Sequence, residues 1–115
     1  MSQIEKHPAV YIIANRYRGA IYIGVTSDLS TRIANHKNKS MLGFTSKYRL
    51  DKLVWYEHRL SMEIAIRREK QMKAWKRDWK FELVEKMNPD WVDLHESIDA
   101  LATLVEEAGS QLSLG

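Results

Sequence analysis

The stretch VYIIANRYRGAIYIG, residues 10–24, decides the fold of this chain. It holds two short apolar runs, one around Tyr11 and one around Tyr22, separated by the polar, glycine-containing RYRG. Such runs flanking a turn predict a β-hairpin, with strands near 9–14 and 20–25 and Gly19 supplying a positive φ. Side chains alternate across a strand, so Tyr11 and Ile13 are expected on one face and Val10 and Ile12 on the other. Tyr22 then shares a face with Gly24. Paired strand tyrosines ordinarily pack. A phenol, with a reference pKa of about 10, becomes a useful base only where positive charge lowers that value.

Downstream of the hairpin, TSDLSTRIANHK (26–37) reads as a helix capped by Thr26, Ser27 or Asp28. Leu29 and Ile33 mark its buried side. Arg32 and His36, also four apart, border that stripe. MLGFTSKYRL (41–50) reads as a connection, with room for a helical turn. DKLVWYEHR (51–59) reads as a third strand, because Leu53, Val54, Trp55 and Tyr56 are too apolar for an exposed loop. SMEIAIRREKQMKAWKRDWK (61–80) has a Ser61 cap and no Gly or Pro, and predicts one long helix. Met62, Ala65, Met72, Trp75 and Trp79 cluster on one broad side of it. FELVEKMNPDW (81–91) is a short helix or strand ended near Asn88-Pro89. Leu94, Ile98, Leu101 and Val105 recur at helical spacing before Gly109.

The 115 residues, 44% hydrophobic with four Trp, suit one domain with a core of its own. The absence of Cys excludes disulfides, thiolate nucleophiles and cysteine zinc sites. The opening MSQIEKHP is polar and no apolar run is long enough to span a bilayer, so a soluble cytoplasmic protein is expected. Net charge is only +3, but it is unevenly spread. Residues 32–80 carry 14 Lys and Arg against 5 Asp and Glu, whereas residues 81–115 carry 8 Asp and Glu against one Lys. A basic middle suits a polyanionic partner, and it equally suits solvated helix faces.

Glu69 falls on the apolar side of the long helix, where a carboxylate is costly unless paired. A divalent cation, an arginine or an edge-of-core position would each satisfy it, and so would ordinary pairing with Lys73 at i+4. Arg32 suits bidentate phosphate contact and His36 suits proton transfer near neutral pH, although both types are common on solvated helices.

Taken in order, VYI, YIG, Arg32 and Glu69 resemble the GIY-YIG endonuclease family, and more closely its small stand-alone bacterial members, the UPF0213-like proteins. YIGVTSDLSTRIANHK, FTSKY, LVWYE, AIRREKQMKAWKR and NPDW echo the same pattern. The resemblance covers residues 8–95, a nuclease-like domain, and leaves 96–115 as an acidic C-terminal helix and tail. It implies an α/β (α+β) fold in which helices flank a small three-stranded, mostly antiparallel sheet. It also implies metal-dependent hydrolysis of DNA phosphodiesters, in a setting such as DNA repair or recombination.

Residue by residue, Tyr11 and Tyr22 match the motif tyrosines, Arg32 the active-site arginine, Glu69 the metal-binding glutamate and His36 a polar position beside the site. Gly24 closes the second motif, leaving room for substrate to approach. The cofactor implied is Mg²⁺ or Mn²⁺. Tyr11 is the favoured base and Tyr22 its orienting partner. Lys47, Arg67, Lys70 and Lys73 are expected on the DNA backbone. Two departures stand out: the first motif reads Ala9-Val10-Tyr11, and Val25 stands where repair-incision relatives often carry lysine. The alternative is a nucleic-acid-binding module with weak or no catalysis, aided by a protein partner or by a second copy of the chain.

Overall fold

The structure, a computed structural model, describes residues 7–38 and 47–98. Its centre is β1 (Ala9–Ala14), buried at all six positions, as an unbroken apolar run requires of a strand covered on both faces. β2 (Ile21–Thr26) and β3 (Lys52–His58) flank it, both antiparallel, in the order β2-β1-β3. Tyr11 faces Gly24 across one ladder and Tyr56 across the other. The expected α+β class and three-stranded sheet are therefore present.

The two sheet faces carry separate cores. Val10, Ile12 and Ala14 pack with Ile23, Val54 and Trp55 beneath α2 (Met62–Lys73) and α3 (Arg77–Met87), which contribute Ala65, Met72, Phe81 and Val84. Tyr11 and Ile13 pack on the opposite side with Leu29 and Ile33 of α1 (Leu29–Lys37), joined by Leu50 and Leu53. The expected caps form at both helices. Asp28 accepts from Thr31 N–H, and Ser61 accepts from Ile64 N–H.

The turn differs from expectation. Arg18, not Gly19, has the left-handed backbone, with φ of 50°. Its guanidinium makes a two-pronged bond to Glu85, at 2.7 and 2.8 Å, which ties the hairpin to α3. Gly19 is needed for space instead. A Cβ there would lie 2.2 Å from Asn15 Oδ1, which accepts from Ala20 N–H.

The predicted helix over 61–80 is two helices. α2 closes with tight bonds from Ala74 N–H to Gln71 O and from Trp75 N–H to Met72 O, and Lys76 is extended (φ −62°, ψ 151°). A single helix over 62–87 would run about 39 Å, against about 23 Å for a seven-residue strand. The corner folds Phe81 and Val84 back onto the sheet. Trp79 is left 53% exposed rather than on the buried side.

β3 carries a bulge. Ile12 pairs with Trp55 but Ile13 with Leu53, so Val54 is an extra residue. The bulge puts Val54 and Trp55 in one core and Leu53 in the other. Buried Asn88 caps it by donating to Val54 O at 3.0 Å and Val92 O at 2.8 Å, while its Oδ1 accepts from Val92 N–H. Asp93 accepts from Leu53 N–H and pairs with Lys37, and Leu94 N–H donates to Leu53 O. Leu94 and Ile98 then pack on the Tyr11 face. The expected continuation through Leu101, Val105 and Gly109 lies outside the described residues, as does most of the 41–50 connection. Among the described residues, no helix is long and apolar enough to cross a membrane.

Asn88→Ala removes the donor to the bulge carbonyl together with both partners of Val92. A loss of about 2 kcal/mol in unfolding free energy is expected, measured by urea denaturation. A loss below about 0.5 kcal/mol would mean that the bulge does not depend on Asn88.

Candidate active site

Tyr11 sits mid-way along β1, 1% exposed, with its ring over Gly24. A Cβ at residue 24 would stand 2.5 Å from both Cζ and Oη of Tyr11, so glycine is required there for the phenol to fit. The vacancy expected for substrate is thus filled by Tyr11 itself. Tyr22, two residue pairs along the ladder on β2, meets Tyr11 edge-on with centroids 6.5 Å apart.

α1 delivers two further groups, one turn apart. His36 is buried, and its Nε2 lies 3.1 Å from Tyr11 Oη. Its ring also meets both tyrosines, at 5.9 Å and 6.0 Å. Arg32 is half-buried, and its guanidinium lies near enough to the Tyr11 phenol to favour the ionised form. In one tautomer of this pair, Tyr11 O–H donates to His36 Nε2. The proton of the neutral imidazole then sits on Nδ1, a buried atom with no hydrogen-bond partner among the described residues.

Burial sets the electrostatics. It pushes the Tyr11 phenol up to about 12, helped by neighbouring Tyr22 and opposed by the charge of Arg32. Burial also lowers the His36 imidazole, and the Arg32 charge lowers it further. At neutral pH the site therefore pairs a protonated phenol with a neutral imidazole that can accept its proton.

Glu69 approaches from α2 with its side chain 14% exposed, and its charge is felt at Tyr11. Lys73 pairs with it at 3.2 Å and lies 5.9 Å from the Tyr22 ring centroid. The i+4 pairing expected from sequence is present, at the rim of the cluster. Among the described residues, no three His, Asp or Glu side chains converge into a preformed cage. A single rim carboxylate still fits Mg²⁺ or Mn²⁺, hard cations that keep several waters and take few protein ligands.

The structure thus brings together Tyr11, Tyr22, Arg32, His36 and Glu69, with Lys73 beside them. The other expected backbone contacts, Arg67, Lys70 and Lys47, are exposed. Arg67 is exposed on α2 two residues before Glu69, so it points to the opposite side, and Lys70 is exposed about 100° round the helix. Lys47 lies over the Tyr48 ring at 5.5 Å. The burial of His36 had a signal in the sequence: it stands three residues after Ile33 and seven after Leu29, on their own stripe.

The model of the GIY-YIG catalytic domain matches residues 7–82. The chain belongs to the GIY-YIG family. It is also 27% identical over 93 residues to the UPF0213 protein of Bacillus pumilus (strain SAFR-032), covering 81% of this chain and 95% of that relative. No solved structure gave a significant match. In this small GIY-YIG protein the second motif tyrosine lies on the edge strand and the first on the central one, which explains why only Tyr11 is fully enclosed.

Because folding lowers the His36 value below that of the unfolded chain, the unfolded state binds more protons in the window beneath the ordinary histidine value of about 6.5. Stability contributed by neutral His36 is complete above that value and is lost as pH falls through the window. Urea denaturation between pH 5 and 7.5 should show a shallower pH slope in His36→Gln than in the wild type. Equal slopes would show that His36 titrates alike in both states.

Proposed function

We propose that this protein is a divalent-metal-dependent endonuclease that hydrolyses DNA phosphodiester bonds, with water as the nucleophile. The observation that carries the reading is the Tyr11–His36 contact beside Arg32 and Glu69. A phenol raised to about 12 is not a free phenolate at neutral pH. Tyr11 becomes a competent base when it gives up its own proton as it takes one. The attacking water passes a proton to Tyr11 Oη, while the Tyr11 O–H proton moves to His36 Nε2, leaving an imidazolium. Tyr22 borders the same space and orients the water. Arg32 balances charge that grows on the phosphate oxygens in the transition state.

Glu69 is the residue that would hold the cation, with water completing the shell. Bound there, Mg²⁺ or Mn²⁺ supplies Lewis-acid polarisation of the phosphate and its leaving oxygen. Lys73, paired with Glu69 at 3.2 Å, would meet the DNA backbone once that carboxylate is engaged. DNA repair or recombination is the setting such an activity fits.

The test is a cleavage panel with Mg²⁺ or Mn²⁺ on single-stranded, nicked, flapped and branched DNA. Glu69→Ala should abolish cleavage and retain binding. Tyr11→Phe should lose about 10²- to 10⁴-fold in rate, the range of a general base. Arg32→Ala should lose far more rate than Lys47→Ala. Wild-type cleavage by the Glu69 variant would remove the metal assignment, and salt-dependent binding without any cleavage would favour the non-catalytic reading.

A further inference from the structure

The corner between α2 and α3 exposes a tryptophan in the most basic part of the described chain. Residues 67–80 hold seven Lys and Arg against two Asp and Glu. Trp79 is 53% exposed, whereas Trp75, its neighbour in a T-shaped contact at 6.3 Å, packs against the core and under Arg68. A T-shaped contact covers at most one ring face, so at least one face of Trp79 is not taken by Trp75. Lys76 and Lys80 flank it in sequence, one at the corner and one on the first turn of α3.

This corner is physically continuous with the candidate active site. Lys80 Nζ donates to Lys73 O at 3.3 Å, Lys73 pairs with Glu69 at 3.2 Å, and Lys73 Nζ sits 5.9 Å from the Tyr22 ring centroid. On the proposed reading, a strand whose phosphate lies at Glu69 and Arg32 would run past Lys73 and Lys80 toward Trp79. A paired base keeps its faces inside the duplex stack. An unpaired base can lay one on an indole, an interaction that tolerates any sequence.

We propose that Trp79 is a stacking platform for an unpaired base of the substrate, which makes DNA with a single-stranded arm beside the scissile bond the preferred substrate class. The proposal rests on the DNA-cleaving reading and adds to it a residue and a substrate feature. Lys76 and Lys80 hold the arm's phosphates without reading sequence. The helix break has a functional consequence here, since a straight helix would have kept Trp79 on the buried side.

The experiment is fluorescence anisotropy in the presence of a chelator, with a labelled blunt duplex and the same duplex carrying a single-stranded tail on either strand. The wild type should prefer a tailed form. Trp79→Leu, which keeps apolar bulk but no ring, should lower the ratio of tailed to blunt affinity about tenfold. Trp79→Phe should keep most of that ratio, and Leu60→Ala, which trims an exposed apolar side chain elsewhere, should keep all of it. Matching ratios for Trp79→Leu and the wild type would overturn the stacking role. A parallel Mg²⁺ cleavage assay on the wild type separates the two levels. Cleavage with an unchanged Trp79→Leu ratio removes this proposal alone, and failure of the wild type to bind or cut any DNA removes both.

Discussion

A phenol buried in the middle of a strand is the constraint on which this structure turns. Tyr11 is enclosed because β1 is covered on both faces, and its hydroxyl cannot be left without partners in that setting. Two separate elements meet the requirement. β2 leaves out a side chain at Gly24 so that the ring fits, and α1 brings His36 and Arg32 to the oxygen. Once those groups are fixed, the position of α1 over the Tyr11 face is fixed as well. The same contacts that satisfy the fold form the candidate site, so a change to one of them alters the packing as well.

The rest of the sheet serves to keep that face intact. The β3 bulge turns Leu53 toward Tyr11's side while Val54 and Trp55 fill the other core. An extra residue disrupts the ladder locally, and Asn88 and Asp93 supply the missing partners from beyond α3. Lys37, at the end of α1, pairs with Asp93 and donates to Asp51 O. The helix that carries His36 is thereby anchored at its far end to the same segment that mends the bulge.

What could be read from sequence, and what could not, follows from the range of the forces involved. The hairpin and its two faces were legible because strand alternation is local, and Tyr11, Ile13, Val10 and Ile12 obey it. Glu69 was legible as a carboxylate on the wrong side of an amphipathic helix. The break at Lys76 was not, since no Gly or Pro marks it and the core that Phe81 and Val84 join after it is assembled from distant residues. Arg18 took the backbone expected of Gly19 because a carboxylate 67 residues away holds it. The burial of His36 was written in its spacing from Leu29 and Ile33, but its polar character masked it. Only the partner, a phenol 25 residues earlier, explains why a histidine belongs there.

The pairing of Arg32 with His36 has one more consequence for the proposed reaction. Arg32 lowers the proton affinity of His36 and of Tyr11, as any nearby positive charge must. A phosphate bound to Arg32 brings negative charge that offsets this effect. In the proposed reaction, His36 would then be a better proton acceptor with a phosphate on Arg32 than without one. Its imidazolium, buried on a helix that also carries Arg32, would lose that support as the phosphate product departs, and releasing the proton would restore the starting state. Substrate charge itself would thus time the Tyr11 relay, with no movement of the backbone needed to switch it.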